Sequence, residues 1–492
     1  MKYPEARRLS TLLESIAGAE ICGDTAIPIT GVTDDSRFVE PGNLFCAVQG
    51  TRVNGESFIE EAIHRGASAI LSRTSRPSPV PVIVVENPRK TLGILYSAWF
   101  DHPSRELEMI ATTGTDGKTS VAYIISRMMF HSGARCGYIG TLGAFTDDRS
   151  FDSSHTTPPP LILHRILREM VDDSCRAVSM EASSHGLKQD RLSGIALHCA
   201  VFTTFGRDHL DYHESSEDYL NAKLSIFRHL GRHGTAVVNN RFPEIIDPAR
   251  RLSPRIITFS AIPENTDITV ERIGKSGNSH CIFLRHESRR FTIRTKLRGT
   301  FQIENITAAA GAGIALGLDY EEICRGIESV DFIPGRFEPV YRKGRLRAII
   351  DYAHTPEALK NALRSARALT SGRLIVVFGC GGDRDTGKRP LMGRIAEQLA
   401  DIVIVTSDNP RSEDPESIIA DIMTGMKSPT DTITKNNRRD AIEEAISCSQ
   451  AGDIVLIAGK GHEKTQTIGT DVHPFDDCEI TRKILETEGN GP

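Results

Sequence analysis

One stretch limits what this chain can become: Ile110-Ala111-Thr112-Thr113-Gly114-Thr115-Asp116-Gly117-Lys118-Thr119-Ser120. The apolar run 107–111 reads as a short buried strand, and a turn rich in glycine and threonine follows it. Beyond the turn, Val121, Ile124, Ile125, Met128 and Met129 recur at the spacing of an amphipathic helix. Strand, glycine turn, Lys-Thr and helix, in that order, form a phosphate-binding loop. The glycines let backbone N–H groups converge on a polyphosphate at a helix N-terminus, where the dipole favours negative charge. Lys118 is placed to reach the β- and γ-phosphates, and the Thr119 hydroxyl to bind Mg²⁺. The common form of this loop has a glycine where Thr112 stands; here the order is Gly114-x-x-Gly117-Lys118-Thr119. Asp116 adds a carboxylate that must point away from the phosphates or meet the metal. The plain alternative is an ordinary strand–turn–helix joint, which leaves the agreement of turn, lysine and helix unexplained.

At 492 residues the chain is too long for one core, and about two to four domains are expected. A net charge of −5 argues against a general nucleic-acid or acidic-membrane binder. No run approaches the ~18 uninterrupted apolar residues of a membrane span. The start, Met1-Lys2-Tyr3-Pro4-Glu5, lacks an apolar signal core. Ten cysteines lie singly between Cys22 and Cys478, with no CxxC pair, and read as reduced thiols of a cytoplasmic protein. A monomer is expected.

The fold class read from the pattern is α/β in three domains, divided at 1–103, 104–334 and 335–492. In the first, strands at 44–48, 69–71 and 82–85 alternate with helices at 5–15 and 58–65, ending in the linker Asp101-His102-Pro103-Ser104. The second continues the phosphate loop with strands near 137–139, 177–180, 200–204 and 236–238 and helices at 161–171 and 216–229. This is the alternation of a mostly parallel sheet. A β-rich insert is expected at about 255–300, where Phe291, Ile293, Thr295 and Leu297 alternate with polar residues. The alanine-rich helix 305–316 should pack tightly. After a second linker, Ile333-Pro334-Gly335-Arg336, strands at 346–350, 373–378, 402–405 and 454–457 predict a second open, Rossmann-like parallel sheet.

Such sheets bind ligands beyond the carboxyl ends of their strands. Four polar clusters follow these four strands: Asp351-Tyr352-Ala353-His354, Gly379-Cys380-Gly381-Gly382-Asp383-Arg384-Asp385, Asp408-Asn409-Pro410-Arg411 and Gly459-Lys460-Gly461-His462-Glu463. In the second domain, Glu181 and the segment Arg207-Asp208-His209 also end strands, so they should face the phosphate loop. Glu181 can hold Mg²⁺, which prefers hard oxygen ligands. His209 taken alone reads as a core histidine, and Lys223 as an ordinary helix lysine. A phosphate loop with these neighbours supports phosphoryl transfer, carboxylate activation or NTP-driven motion. Arg384, Arg411 and Glu463 suit a zwitterion, since arginine pairs with carboxylate and glutamate with ammonium. That combination points to an amino-acid acceptor and to amide formation.

The motifs taken together resemble the Mur ligases of peptidoglycan synthesis over almost the whole length. They run Asp35-Ser36-Arg37, Gly114 to Thr119, His155-Thr156-Thr157-Pro158, Glu181-Ala182-Ser183-Ser184-His185, Arg207 to His213, Ala222-Lys223, Pro334-Gly335-Arg336 and the four clusters above. The resemblance is strongest to members that add a diamino acid to UDP-N-acetylmuramoyl-L-alanyl-D-glutamate. It implies domains for the UDP-sugar, for ATP and for the amino acid. It also implies Lys118, Glu181, His209 and Lys223 as catalytic residues. Mg²⁺ is implied at Thr119, Glu181, His209 and a carbamylated Lys223. ATP falls to Gly114, Thr115, Asp116, Gly117, Lys118, Thr119, Ser120, Asn305, Arg336, Asp351 and His354. The UDP-muramoyl-dipeptide falls to Asp34, Ser36, Thr51, Arg52, Val53, His155, Thr156, Thr157, Ser183, Gln189 and Arg191. The diamino acid falls to Arg384, Asp408, Asn409, Pro410, Arg411, Gly459 and Glu463. Asp116 and His155 stand where the family usually carries asparagine, Thr204-Phe205-Gly206 replaces Asn-Leu-Thr, and Gln302-Ile303-Glu304-Asn305 is an unusual adenine-side motif.

The form Asp-Asn-Pro-Arg resembles users of meso-diaminopimelate, whose second carboxylate Arg411 could hold; lysine would leave that arginine unpaired. L-lysine and L-ornithine stay open as alternatives. So do a folylpolyglutamate synthetase, against which the 408–411 and 459–463 clusters speak, and a non-catalytic nucleotide-binding regulator, against which Lys118, Glu181, His209 and Lys223 speak.

Overall fold

Three large β-sheets follow one another along the described residues, each built from its own run of chain. The computed structural model describes residues 5–487 except 51–52, 154, 277–278, 429 and 431. Among the described residues the first sheet has five strands, ordered Glu20–Cys22, Val82–Val84, Ala69–Ser72, Asn43–Cys46 and Gly31–Thr33. Its pairs are parallel except the outermost, Glu20–Cys22 against Val82–Val84. The helix expected over 5–15 is only Leu9–Leu13, and a helix the pattern did not announce, Pro88–Trp99, covers the sheet. Its start is well specified: the Asn87 side chain accepts from the Lys90 N–H, and Pro88 occupies the first turn.

The second sheet has eleven strands among the described residues. Their order is Ser150–Phe151, Gly143–Phe145, Cys136–Gly140, Ala177–Glu181, Glu108–Thr113, Leu197–Phe202, Leu230–Asn239, Arg255–Ser260, Ile268–Ser276, Ser279–His286 and Arg289–Thr295. The middle, from Cys136–Gly140 to Ile268–Ser276, is parallel, and both flanks are antiparallel. Residues 255–300 are therefore not a separate insert but the far flank of this sheet, because Arg255–Ser260 pairs directly with Leu230–Asn239. The alternation read there holds: Ile293, Thr295 and Leu297 are buried while Arg294 and Lys296 are exposed. On one face the helix Lys118–His131 packs Val121, Ile124, Ile125 and Met128 against Ile110, Val201 and Val237. Each such buried side chain contributes roughly 1.5–3 kcal/mol. The helix expected over 216–229 is α-helical over Ser216–Leu224 and tightens to a 3₁₀ turn over Ser225–His229.

The third sheet runs Glu338–Arg342, Arg345–Asp351, Ile454–Ala458, Leu374–Phe378, Ile402–Thr406 and Ile433–Lys435, all parallel but for the first pair. The four strands that precede the polar clusters are adjacent and parallel, so all four clusters open on one edge. A hairpin, Thr465–Ile468 with Asp471–Pro474, and a helix, Asp477–Thr487, were not foreseen.

The second and third sheets meet at Ile333-Pro334-Gly335-Arg336, which is a bonded turn rather than a loose linker. Ile333 bridges Arg336, and the Gly335 N–H donates to Glu338 Oε2 at 2.9 Å. Gly335 has φ +64°, and a Cβ there would lie 2.1 Å from the backbone N of His462. Alanine would meet both a left-handed backbone and a contact with main chain that cannot swing aside. Gly335→Ala is expected to lower unfolding free energy by about 1–3 kcal/mol, read by urea melts. Gly344→Ala, at φ +74° with open space around it, is expected to lose about 1 kcal/mol or less. Equal losses at the two positions would contradict the packed junction.

Candidate active site

The strand before the phosphate loop runs to Thr113, beyond the 107–111 read from sequence. Thr112 pairs with Glu181 and Val201. It is still a strand residue, which is why no glycine is required there. The turn itself places Gly114 at φ +147° and Gly117 at φ +86°. A Cβ on Gly117 would lie 2.5 Å from Asn305 Oδ1, so Asn305 rests directly on the loop. Asp116 is tied through its backbone: its N–H donates to Thr204 Oγ1 at 2.9 Å, and the Thr203 hydroxyl donates to its carbonyl at 2.5 Å. Burial raises the Asp116 carboxyl above the usual carboxylate range, against the pull of Lys118 and His354. It therefore confronts phosphate with less charge than its position in the sequence suggests.

Two lysines converge on one carbonyl. Lys118 Nζ donates to the carbonyls of Gly114 and Thr115 at 2.9 and 2.8 Å. Lys223 Nζ donates to the same Gly114 carbonyl at 2.6 Å and stands 4.5 Å over the Tyr219 ring. Lys223 is only 1 % exposed, so the reading of it as an ordinary helix lysine gives way. Burial first, and the nearby Lys118 charge second, push its pKa well below the usual lysine value, which favours the neutral amine.

Glu181 is fully buried and accepts from Tyr138 Oη at 2.6 Å, the Thr141 N–H at 2.8 Å, and the Thr141 and Thr119 hydroxyls at 3.0 Å each. Thr119 Oγ1 in turn accepts from Arg336 Nη2 at 2.9 Å. His209, with φ +53°, has Nε2 3.3 Å from Asp208 Oδ2. Burial lowers its pKa to about 3, so its imidazole is neutral and able to ligate a metal. Among the described residues no group of three or more His, Cys, Asp and Glu side chains is gathered at metal-ligand spacing. What the loop offers instead is Thr119 Oγ1 and the Glu181 carboxylate, hard oxygens beside a phosphate site. Mg²⁺ typically takes one or two carboxylates and completes its shell with phosphate and water, so the donor set fits that ion.

A cavity of about 480 Å³ joins the second and third sheets. It is lined by residues 115–120, Thr141, Thr156, Glu181, Ser183 and 204–209 from one side, and by Arg336 and 351–355 from the other. Asn305, Arg336, Asp351 and His354 are thus brought together with the loop. Arg336 lies 4.2 Å over the Tyr352 ring, and His354 Nε2 is 3.9 Å from Asp208 Oδ2. Asp351 accepts from the Phe337 and Ala353 N–H groups at 2.7 and 2.8 Å. The sequence reading missed Arg241, Phe242, Phe301 and Asn361, which also line the cavity together with Glu304 of the adenine-side motif. Arg241 follows the strand Leu230–Asn239 on the same edge as the other strand-end groups, a signal the strand-end rule carries, and it pairs with Glu304 at 2.7 Å.

At the third sheet's edge, Asp408, Asn409 and Pro410 are buried and adjoin Gly459, whose absent Cβ would lie 2.5 Å from Asp408 Oδ2. Arg411 has φ +52°, and its Nη1 donates to the Gly382 carbonyl at 2.7 Å, while its Nε and Nη2 donate to no acceptor among the described residues. Arg384 is exposed and donates to the Asp383 carbonyl at 2.9 Å. Asn409 Nδ2 donates to Glu463 Oε2 at 2.8 Å.

The sugar-nucleotide candidates form two groups. Around the phosphate loop, the Thr157 hydroxyl donates to Ser183 Oγ at 3.1 Å, Arg191 donates to the Thr157 carbonyl and to Gln189, and Thr156 meets Thr141 at 3.2 Å. His155 has its pKa lowered by burial and by Arg191. In the first sheet, Ser36 donates to Glu61 at 3.3 Å, burial raises the Asp34 carboxyl against the pull of Arg89, and Val53 is exposed. Thr51 and Arg52 lie outside the described residues. The field of Arg89 reaches both Asp34 and Arg191, which makes it a basic residue between the two groups that the sequence reading passed over.

A phosphate loop that shares its cavity with the strand ends of a second parallel sheet is the layout of an ATP-dependent ligase. Family models described as "Mur ligase family, catalytic domain", "Mur ligase middle domain" and "Mur ligase, glutamate ligase domain" match residues 28–99, 112–313 and 335–461. The UDP-N-acetylmuramoyl-L-alanyl-D-glutamate–2,6-diaminopimelate ligase of Geobacillus kaustophilus is 40% identical over 98% of this chain and 100% of its own. That of Rhizobium meliloti is 41% identical over 95% and 96%. A solved structure of a ligase of the same name is 33% identical, with TM-score 0.71 and coverage of 99% and 100%. Folylpolyglutamate synthase of Mycobacterium tuberculosis, 19% identical with TM-score 0.64 over 81% of this chain, shares the fold. The chain belongs to the Mur ligase family.

Asp351 generates a pH signature. Burial raises its carboxyl to about 6, against Arg336 and its two backbone donors. A folded pKa above the unfolded value favours the protonated fold. The contribution is therefore full below about pH 4 and is lost as pH rises through about 6. Stability from this group should fall by about 2–3 kcal/mol between pH 4 and 8, and Asp351→Asn should remove that part of the slope in pH-dependent urea melts. An identical slope in wild type and variant would contradict it.

Proposed function

We propose that this protein adds meso-diaminopimelate to UDP-N-acetylmuramoyl-L-alanyl-D-glutamate, with ATP as co-substrate, in peptidoglycan synthesis. The observation that carries the reading is the single cavity in which Lys118 of the phosphate loop faces Arg336, Asp351 and His354 of the third unit. We divide the work among residues 1–103 for the UDP-sugar, 104–334 for ATP and 335–492 for the amino acid, in a cytoplasmic monomer.

ATP lies with its phosphates on Gly114 to Ser120 and its adenosine toward Asn305, Phe301 and Arg241. A carboxylate oxygen of the terminal D-glutamate attacks the γ-phosphorus, the bond to the β-phosphate oxygen breaks, and ADP leaves. Lys118 draws charge from the transferring group, and Lys223 fixes the loop through the Gly114 carbonyl. Thr119, Glu181, His209 and Lys223 as its carbamate would hold Mg²⁺, which would supply positive charge to the phosphate oxygens. Because burial favours the neutral amine of Lys223, its nitrogen is able to bond to the carbon of CO₂ and release a proton, which leaves an oxygen-bearing carbamate anion. The resulting acyl phosphate meets the neutral amine of the diamino acid, whose far carboxylate pairs with Arg411 and far ammonium with Glu463. Nitrogen bonds to the acyl carbon, the carbon–oxygen bond to phosphate breaks, nitrogen sheds a proton, and the amide remains. Cations beside the cavity, Arg336 and Lys118 among them, stabilise the tetrahedral oxyanion. The junctions near Asp101 and Gly335, both with left-handed residues, serve as hinges for closure.

The test supplies ATP, UDP-muramoyl-dipeptide and, in turn, diaminopimelate, lysine, ornithine and a folate substrate, and identifies the product by mass. Amide product with diaminopimelate is expected. Lys118→Ala should abolish phosphate release, and Arg411→Ala should raise the diaminopimelate KM about tenfold or more. Native mass spectrometry should show Lys223 heavier by one CO₂, and Lys223→Ala lacking it. Nucleotide binding without amide, or lysine used as well as diaminopimelate, would overturn the reading.

A further inference from the structure

Lys460 has no task in the mechanism above, yet it is the most enclosed cation of the third unit's ligand edge, at 0 % exposure. Its three N–H donors are all engaged by protein: Asn409 Oδ1 at 3.1 Å, Glu463 Oε2 at 3.0 Å and the Thr465 carbonyl at 2.7 Å. An ammonium has no further donor to offer a substrate. Its effect must pass through its partners.

Those partners form a rigid triangle. Asn409 Oδ1 also accepts from the Thr467 N–H at 3.1 Å, so the amide is oriented with its NH₂ toward Glu463. Glu463 Oε2 then receives both Asn409 and Lys460, while Oε1 has no protein donor among the described residues. The Asn409 main-chain carbonyl lies 3.4 Å from Arg411 Nη1. One residue therefore links the carboxylate receptor, Arg411, to the ammonium receptor, Glu463, and Lys460 locks that residue.

We propose that Lys460 is a positioning residue that holds Glu463 Oε1 at a fixed separation from Arg411, so that the pocket reads an ammonium and a carboxylate borne on one carbon. This rests on the reading that Arg411 and Glu463 face the far end of the diamino acid. Lys460→Met leaves Glu463 free to rotate and Asn409 free to flip, and it acts on this substrate alone.

The experiment measures KM and kcat of the full-length enzyme for diaminopimelate, ATP and UDP-muramoyl-dipeptide in Lys460→Met, Glu463→Gln and the double variant. Lys460→Gln, which keeps an amide donor, is carried alongside in case the methionine variant folds poorly. Lys460→Met should raise the diaminopimelate KM about tenfold or more, with the loss falling in KM rather than kcat, and should move the other two KM values less than about twofold. Lys460→Gln should lie between wild type and Met. The double variant should be scarcely worse than Glu463→Gln alone, since both act through one group. Parallel rises in all three KM values, or additive losses, would reduce Lys460 to a structural lysine and overturn the inference. If Glu463→Gln raises the diaminopimelate KM and neither Lys460 variant does, the inference fails while the site reading stands. If Glu463→Gln leaves that KM unchanged, the site reading fails and takes the inference with it.

Discussion

The carboxylate of Glu181 is the knot on which this architecture depends. Removed from water, it would be strongly destabilising without partners, and it has four donors from three residues in two segments. Through Thr119 it holds the first turn of the phosphate-loop helix. Through Tyr138 and Thr141 it holds the neighbouring strand. Through the Thr119–Arg336 bond the third unit reaches the same point. The phosphate loop and the third unit thus meet at one buried carboxylate, beside the cavity that both of them line.

Charge is distributed around this knot in a way that anticipates a polyanion. Lys118 and Lys223 share the Gly114 carbonyl, and the Lys118 charge makes a charge on Lys223 less favourable. Burial opposes the charge on Asp208, and His209, His354, Lys388 and Lys118 outweigh that penalty. Asp116 moves the other way, toward its neutral form. The balance of cations near the loop therefore favours incoming phosphate. The residues that depart from the usual family motif meet one another here, with Asp116 bonded to Thr204.

Much of this was legible in the residue pattern, and the exceptions have physical causes. Parallel strands and their polar ends were readable because period and turn chemistry agree, as at Arg345–Asp351 and Ile454–Ala458. The far flank of the second sheet looked like an insert because antiparallel meanders carry no sign of which edge they join. Pro88–Trp99 was missed because its buried residues crowd most of its circumference and blur the helical period. At the site, the loop and strand-end groups were found. Arg241 was passed over although it follows a strand on the same edge, and Phe301 was not legible, since only the folding of distant segments brings it to the cavity. Lys223 read as a surface residue because local sequence does not reveal that its helix turns that face inward.

The central claim is that a triphosphate held at Lys118 makes a carboxyl group reactive toward an amine held by the third unit. The most direct measurement uses UDP-muramoyl-dipeptide labelled with ¹⁸O in the terminal carboxylates and follows the label into inorganic phosphate during turnover. One ¹⁸O atom in each phosphate released is the required result, because the attacking carboxylate oxygen leaves with phosphorus. Phosphate free of ¹⁸O, alongside normal amide formation, would contradict the account.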